Sequence, residues 1–175
     1  MNSRIVNVVC TADLKQSIQL ALLNKERWGL YDLDIYPAGY IKDGSIKGRV
    51  IVFQSGKLIS AGAKDVPTAI QNLNYAKNLL VSAKIAKDVS LKSQVRNIVA
   101  TADIGKQIRL EQVSSSLDST IYEPEQFPGV IWHPRDQPVS VLIFASGKLV
   151  IAGLKSLQQY RFIQLYLAEK LARFS

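Results

Sequence analysis

The stretch Ser55-Gly-Lys-Leu-Ile-Ser-Ala-Gly-Ala-Lys64 decides the fold, because it occurs again 91 residues later as Ser146-Gly-Lys-Leu-Val-Ile-Ala-Gly-Leu-Lys155. Seven of the ten positions are identical. Three further pairs surround it: Asn7-Val-Val-Cys-Thr-Ala-Asp13 with Asn97-Ile-Val-Ala-Thr-Ala-Asp103, Tyr36-Pro37 with Phe127-Pro128, and Phe53 with Phe144. A nearly constant offset predicts two copies of one unit, residues 1–90 and 91–175, within a single pseudosymmetric domain.

Each copy shows the same order of predicted elements. An apolar strand opens it, at Arg4–Thr11 or Arg96–Thr101, and a short helix follows at Ile18–Leu23 or Leu110–Leu117. Asp13 and Asp103 are expected to cap these short helices. Ser-Gly turns then predict two hairpins, Arg49–Gln54 with Leu58–Ala61 and Val139–Phe144 with Leu149–Ala152.

A longer helix closes each copy, from about Asp65 to Ala86 and from about Ser156 to Phe174, with apolar residues at helical spacing. The predicted class is α+β. We expect one curved antiparallel sheet of about ten strands, with two long and two short helices on its convex face.

The composition favours a polyanionic partner, because the chain has 22 Lys and Arg but only 14 Asp and Glu, and its pI is about 9.6. Nucleic acid is the first candidate for this partner and a membrane surface the second. No 18-residue stretch is free of charge, which excludes a transmembrane helix, and the N-terminus lacks a signal-peptide pattern. We therefore expect a soluble protein inside the cell. Its one cysteine, Cys10, is expected in the core.

The strands Val50–Phe53 and Val141–Phe144 are apolar at every position. In a strand with one face in water, polar residues would alternate with apolar ones. The sheet face without helices is therefore expected to be apolar as well. A large exposed apolar surface marks a binding site. With a cationic rim, such a surface suits the minor groove of a bent duplex.

The blocks Tyr122-Glu-Pro-Glu-Gln-Phe-Pro-Gly129 and Leu142-Ile-Phe-Ala-Ser-Gly-Lys148, with the two Thr-Ala-Asp segments, resemble the TATA-binding protein family. The resemblance covers nearly the whole chain. It implies a two-repeat saddle that acts as a general transcription initiation factor and bends A/T-rich promoter DNA. It also implies a monomer on DNA that recruits a factor-B type initiation factor and, indirectly, RNA polymerase. No cofactor, metal or membrane is implied.

The resemblance also assigns roles on the DNA face. Four aromatic side chains are expected to wedge between base steps: Tyr36, Phe53, Phe127 and Phe144. The expected minor-groove contacts are Asn7, Val9, Ile51, Ile59, Ala61, Asn97, Val99, Leu142, Val150 and Ala152. An amide donor of Asn7 or Asn97 would favour A·T pairs, which present only acceptors in the minor groove.

Contacts with phosphate are expected, again by resemblance, along both rims. They are Lys42, Lys47, Ser55, Lys57, Lys64, His133, Ser146, Lys148 and Lys155. Such contacts set affinity and salt dependence rather than sequence preference. Glu123 and Glu125 are expected to contact the factor-B type protein. The matching loop of the first copy, 31–35, keeps acidic character but not the motif.

The chain also departs from the family pattern. Ala61 and Ala152 stand where the family usually has threonines that add hydrogen bonds at the centre of the site. Their loss predicts a relaxed preference at the central base step. Tyr36 replaces the usual Phe, and its hydroxyl needs a partner or water, so the first-copy kink is expected to be the weaker one. The segment 43–48 differs from the family as well.

Three other functions were weighed. Catalysis is disfavoured, because Ser-Gly-Lys lacks the upstream glycine of a P-loop and the single histidine, His133, has no nucleophile partner or metal-ligand pattern. A DNA-weak paralogue that regulates transcription by binding initiation factors remains the alternative. A substrate-binding module of a nuclease or glycosylase is disfavoured by the chain's length. An archaeal-type protein is expected in the cytoplasm at the nucleoid, and a eukaryotic one in the nucleus.

Overall fold

The structure is a computed structural model that describes residues 1–174. These residues form two compact units. One comprises Asn7–Arg96 and is called the N-unit below. The other comprises 97–174 together with Met1–Val6 and is called the C-unit. Neighbouring strands within each unit run antiparallel.

The N-unit holds strands β1 to β5 in the spatial order β2-β3-β4-β5-β1. Their bounds are β1 Asn2–Asp13, whose first residues belong to the C-unit, β2 Gly29–Leu30, β3 Gly39–Ile41, β4 Arg49–Val52 and β5 Lys57–Ala63. A 3-10 helix, Leu20–Lys25, follows β1, and helix α1, Val66–Ser82, follows β5.

The C-unit repeats this arrangement in the order β6-β10-β9-β8-β7. Its strands are β6 Gln94–Asp103, β7 Thr120–Ile121, β8 Gly129–Trp132, β9 Ser140–Phe144 and β10 Lys148–Leu154. Helix α2 spans Leu110–Ser116 and helix α3 spans Leu157–Leu171, followed by a 3-10 turn, Ala172–Phe174. Ten strands and two long helices therefore match the prediction.

The core of each unit lies between the strands and the helices. In the N-unit, Val50, Val52 and Leu58 face Leu73 and Leu80 of α1, and all five are fully buried. In the C-unit, Val141, Ile143, Leu149, Ile163 and Leu167 are fully buried. Cys10 is also fully buried, as predicted, and this burial raises the pKa of its thiol. Burying apolar area at about 25 cal/mol per Å² is the main stabilising term for such a layer.

The long helices begin at capped positions. The Asp65 carboxylate accepts a hydrogen bond from the backbone N–H of Thr68 at 2.7 Å, and Ser156 Oγ accepts one from Gln159 N–H at 3.0 Å. These caps satisfy donors that the first helical turn leaves free. Helix α1 ends four residues before the predicted Ala86, because Lys84 takes a left-handed backbone with φ of +58°.

The prediction that Asp13 and Asp103 cap short helices is wrong. Each is the last residue of a strand, and its carboxylate accepts from a backbone N–H two residues on, Lys15 at 2.8 Å and Gly105 at 2.7 Å. The bond from Lys15 lowers the pKa of Asp13. Local turns of this kind compete with capping for the same side chain. The short helices instead follow Gln19 and Arg109, which make no side-chain cap.

Within residues 1–174, no helix is both long and apolar enough to cross a membrane. The same residues contain no group of three or more His, Cys, Asp or Glu side chains that could hold a metal ion.

Candidate nucleic-acid interface

The strand face of the N-unit that helices leave uncovered carries a transverse row of side chains. The register aligns Tyr40 with Ile51, Ile51 with Ile59, and Ile59 with Thr11. All four are half-buried, whereas the residues on either side of Ile51 are fully buried on the opposite face. Alternate residues of a strand point to opposite faces, so one set builds the core and the other the open surface.

The C-unit repeats this row. Ile131 aligns with Leu142, Leu142 with Val150, and Val150 with Thr101, and all four are half-buried. Four members of the two rows, Ile51, Ile59, Leu142 and Val150, were predicted from the sequence. The other four, Tyr40, Thr11, Ile131 and Thr101, were missed, although strand alternation extended across the strand register would have found them.

Asn7 and Asn97 lie beside a register shift in each unit. The Oδ1 atom of Asn7 accepts a hydrogen bond from Gly62 N–H at 2.9 Å, and Asn97 Oδ1 accepts one from Gly153 N–H at 3.1 Å. A backbone N–H can bond only to an acceptor. These bonds therefore determine that the oxygen of each amide, and not its nitrogen, points to the glycine N–H. No acceptor within residues 1–174 engages either Nδ2, and each amide therefore keeps its donor hydrogens for a ligand.

Smaller side chains flank the two amides. Val9 and Val99 follow two residues later on the same strand face, and both are half-buried. Ala61 aligns with Arg49, and Ala152 aligns with Ser140. Both alanines are half-buried and offer only a methyl group, so neither can donate or accept a hydrogen bond through its side chain.

The two predicted wedge residues of the C-unit form a ring pair. The centroids of Phe127 and Phe144 lie 5.8 Å apart, with the planes at 59°. Gly129 makes this pairing possible. A Cβ at that position would lie 3.0 Å from Phe127 Cε1, 3.3 Å from Phe144 Cδ1 and 2.9 Å from the Ile143 carbonyl oxygen. A methyl group there would force the rings to move.

In the N-unit the corresponding aromatic residues are arranged differently. The Tyr36 ring contacts the Tyr40 ring in a tilted arrangement, with centroids 5.8 Å apart and planes at 34°, and no ring contact joins it to Phe53 among the described residues. Ala38 occupies the position that matches Gly129, and it is buried. Tyr36 itself remains 38% exposed.

All nine predicted phosphate contacts are exposed side chains: Lys42, Lys47, Ser55, Lys57, Lys64, His133, Ser146, Lys148 and Lys155. The Ser-Gly turns present several of them. Gly56 and Gly147 have φ of +87° and +82°, and a Cβ would lie 2.2 Å and 2.1 Å from the backbone oxygens of Gln16 and Lys106. Glycine is therefore required at both turns.

The structure places some of the predicted phosphate contacts beside concavities that residues of the open strand faces line, and it places others elsewhere. Lys42 borders a concavity with Asn7, Ala61 and Arg49, and Arg49 is an exposed cation that sequence reasoning missed. Lys47 does not line this concavity. It borders a different surface, beside helix α1, where its backbone is held by Asn72.

The C-unit has a concavity of about 600 Å³ over its row. Thr101, Phe144 and Val150 line its apolar part, and Ser146 and Lys148 line its rim. The first strand adds a second missed cation, Arg4, together with Asn2 and Ser3. His133 is outside this cavity, with Nδ1 at 3.1 Å from Ser140 Oγ.

The loop that precedes each of the predicted wedge residues Tyr36 and Phe127 is closed by the same backbone hydrogen bond in both units. Phe127 N–H donates to the Glu123 carbonyl at 2.9 Å, and Tyr36 N–H donates to the Asp32 carbonyl at 3.0 Å. Glu123 and Glu125 are both exposed. Tyr122 anchors the C-unit loop by donating to Glu111 Oε1 at 3.2 Å. Partial burial and the Glu111 carboxylate raise the pKa of Tyr122.

Comparison with known proteins gives one consistent family. The sequence model described as transcription factor TFIID, or TATA-binding protein, matches residues 2–83 and 92–174. The TATA-box-binding protein of Cenarchaeum symbiosum is 42% identical over 160 residues, or 90% of this chain and 87% of that protein. That of Methanosphaera stadtmanae is 34% identical over 183 residues, or 95% of this chain and 97% of that protein.

The solved structure of the Methanococcus jannaschii TATA-binding protein has the same fold. It is 30% identical, with a TM-score of 0.88 over 99% of both chains. The α+β fold class predicted from the repeat is thereby confirmed. Since the family model covers both copies of the repeat and curated relatives match most of their length, this chain belongs to the TATA-binding protein family.

Proposed function

We propose that this chain is a general transcription initiation factor that binds and bends TATA-like promoter DNA through the minor groove. The observation that carries the proposal is the uncovered strand face of each unit. There, an apolar row, an oriented amide donor and exposed cations occur together. Sugars and base edges would contact the row, A·T acceptors would meet the amides, and phosphates would meet the lysines.

The same surface indicates a reduced sequence preference. Ala61 and Ala152 place methyl groups beside the Asn7 and Asn97 amides, so the central base step would meet no hydroxyl from either position. Hydrogen bonds to base edges carry direct readout, whereas apolar contacts follow groove shape. We therefore expect A/T-rich sites to be bound with little distinction between variants of the central step.

The acidic loop of the C-unit supplies the surface for the proposed partner. Glu123 and Glu125 project from a loop whose backbone is fixed by its turn and by the Tyr122–Glu111 hydrogen bond. We propose that this loop recruits a factor-B type initiation factor, and through it RNA polymerase, while a single chain occupies the DNA. This activity would place an archaeal-type protein at the nucleoid in the cytoplasm.

Fluorescence energy transfer between dyes at the two ends of a duplex tests the proposal. A TATA-box duplex and a shuffled duplex of equal composition are titrated with protein across a salt series, with and without the factor-B type protein. We expect a bend and tighter binding on the TATA duplex. Replacing one rim lysine, Lys148→Ala, should reduce the slope of log K against log salt by about 0.9.

A DNA-weak regulator of transcription is the second candidate, and one observation favours it. Tyr36 contacts Tyr40 in a tilted arrangement instead of pairing with Phe53, so the N-unit lacks the ring pair found in the C-unit. This candidate predicts binding of the factor-B type protein without any bend on either duplex, at any salt concentration. Such a result would reject the DNA-bending function and retain the partner surface.

A further inference from the structure

The start of the first strand places a cation beside the open face of the C-unit. Strand β1 begins at Asn2, and its residues up to Val6 belong to the C-unit. Arg4 is exposed and lines, with Phe144 and Lys148, the cavity of about 600 Å³ over the row of that unit. An arginine from the beginning of the chain therefore borders the apolar surface that the second copy of the repeat forms.

The side chain of Arg4 keeps its hydrogen-bonding capacity. Within residues 1–174 it forms neither a side-chain hydrogen bond nor an ion pair. Asp103 lines the same cavity, but its carboxylate accepts the Gly105 N–H at 2.7 Å. A guanidinium carries five N–H donors in a planar fork and accepts nothing. These donors therefore remain for a ligand that brings acceptors.

A contact with helix α3 orients this end of the strand. Ser3 Oγ and the Tyr160 hydroxyl are hydrogen-bonded at 2.8 Å, and Gln164 Nε2 donates to the same hydroxyl at 3.1 Å. Helix α3 covers the strand face opposite the open row. Neighbouring residues of a strand point to opposite faces, so a Ser3 side chain held by the helix turns Arg4 towards the open face.

The N-unit has different residues at the matched positions. Gln94 matches Arg4 at an offset of 90, and Ala69 matches Tyr160 at an offset of 91. Gln94 carries no charge, and the methyl group of Ala69 cannot form a hydrogen bond. At these positions the N-unit therefore has neither the cation nor the contact that orients it.

We propose that Arg4 binds a backbone phosphate of the duplex on the C-unit, and that the Ser3–Tyr160 contact positions it. This inference rests on the proposed DNA-binding function and adds a contact to it. Because Arg4 is exposed beside Lys148, it suits the charged edge of a groove better than the bases at its floor. The guanidinium fork matches two phosphate oxygens, which a lysine cannot do. Phosphate contacts add affinity without sequence preference.

Arg4→Gln tests the assignment, because it gives the C-unit the residue of the N-unit. The full chain is titrated onto the TATA duplex and onto the shuffled duplex across a salt series. The slope of log K against log salt should fall by about 0.9. Affinity at low salt should fall about tenfold on both duplexes. Arg161→Gln removes the same charge from an exposed position of α3, and it should change neither the slope nor the affinity.

Two further variants separate charge, geometry and position. Arg4→Lys keeps the charge but not the fork, so the slope should stay at the wild-type value while the affinity falls about threefold. Tyr160→Phe removes the hydroxyl that holds Ser3 and should weaken binding by a similar factor. In the R4Q background Tyr160→Phe should have no additional effect on binding, because no guanidinium is left to position.

The outcomes distinguish the Arg4 contact from the DNA-binding function on which it rests. A wild type that neither binds nor bends the TATA duplex would reject both. A wild type that binds and bends, with R4Q keeping the full slope or losing no more than R161Q, would reject the Arg4 contact alone. A loss confined to the TATA duplex would assign Arg4 to a base edge and overturn the phosphate contact. Additive losses in R4Q/Y160F would overturn the positioning role of Tyr160.

Discussion

Beneath β5 the N-unit buries a polar pair, Ser60 and Asn72, whereas the C-unit buries two isoleucines, Ile151 and Ile163, at the matched positions. Asn72 Nδ2 donates to Ser60 Oγ at 3.2 Å and to the Lys47 carbonyl at 2.9 Å, and its Oδ1 accepts from Lys47 N–H at 3.1 Å. The polar pair thus ties the 43–48 loop to helix α1. The same strand order is thus compatible with a polar pair or with two isoleucines in the core, provided that each buried donor and acceptor has a hydrogen-bond partner.

The open faces differ in the same way. In the C-unit the rings of Phe127 and Phe144 pair beside Gly129, whereas in the N-unit Tyr36 contacts Tyr40 and Ala38 stands at the position that matches Gly129. The two units therefore differ, both in the core and at the predicted wedge residues, at positions that the repeat aligns. The strand order is common to both units, whereas these contacts are local to each.

Asn72→Ala should have the largest effect on stability. It leaves the Ser60 hydroxyl and the Lys47 backbone groups without partners, and the expected loss in the free energy of unfolding is about 2–3 kcal/mol. Urea unfolding measures it. The double variant S60I/N72I copies the C-unit interior and should recover part of the loss. A change below about 0.5 kcal/mol in N72A would show that the polar pair is not needed.

Phe144→Ala and Phe53→Ala test whether the two wedge sites contribute unequally. Phe144 belongs to a preformed ring pair, so its loss should weaken binding to a TATA duplex about tenfold or more, equivalent to about 1.4 kcal/mol. Among the described residues Phe53 has no ring partner, and its loss should have the smaller effect. The measurement is duplex titration with end-to-end energy transfer. Equal losses in both variants would contradict the proposed inequality.

Gly129→Ala and Ala38→Gly exchange the residues that separate the two ring arrangements. The methyl at position 129 should disturb the Phe127–Phe144 pair at a cost of about 1 kcal/mol, or about fivefold in DNA affinity. Removing the methyl at position 38 should leave room for Tyr36 to approach Phe53. The bend measured at each end of a labelled duplex should become more equal in both variants. If the bends are unchanged, the methyl does not control ring placement.

The smallest predicted effect involves Tyr166, whose hydroxyl donates to Asp136 Oδ1 at 2.9 Å. Burial and the Asp136 carboxylate raise the pKa of Tyr166 from 10.0 to about 12. The stabilisation by the protonated hydroxyl is therefore complete below pH 10 and is lost as the pH rises through about 12. Tyr166→Phe should cost about 1 kcal/mol at pH 9 and progressively less above pH 10. Urea unfolding at a series of pH values checks this trend, and a pH-independent difference would contradict it.

Much of the fold could be predicted because each element carries a local signal. The Ser-Gly turns marked both hairpins, and helical spacing marked α1 and α3. The short helices show where such signals failed, since Asp13 and Asp103 suit a cap and a local turn equally well. The turn forms because the strand continues to the aspartate itself, and only strand pairing reveals that.

For the candidate site, the family resemblance proposed Asn7, Asn97 and the four aromatic positions, and the repeat showed each as a matched pair along the sequence. Their roles on DNA stay predictions. Sequence reasoning missed Thr11, Thr101, Tyr40 and Ile131, because their role depends on the residue across the strand. Arg4 and Arg49 were missed for the same reason. Their charge is evident in the sequence, but their place beside the rows is not.

The sequence by itself determined the duplication, the two hairpins, the two long helices and the apolar character of both strand faces, because all of these follow from spacing along the chain. Only the tertiary structure decided which amide atom of Asn7 is held by a backbone N–H and which aromatic rings meet. The first depends on a contact between strands, because Asn7 and Gly62 lie 55 residues apart. The second depends on the packing of loop and strand residues, since Phe127 meets Phe144 whereas Tyr36 meets Tyr40.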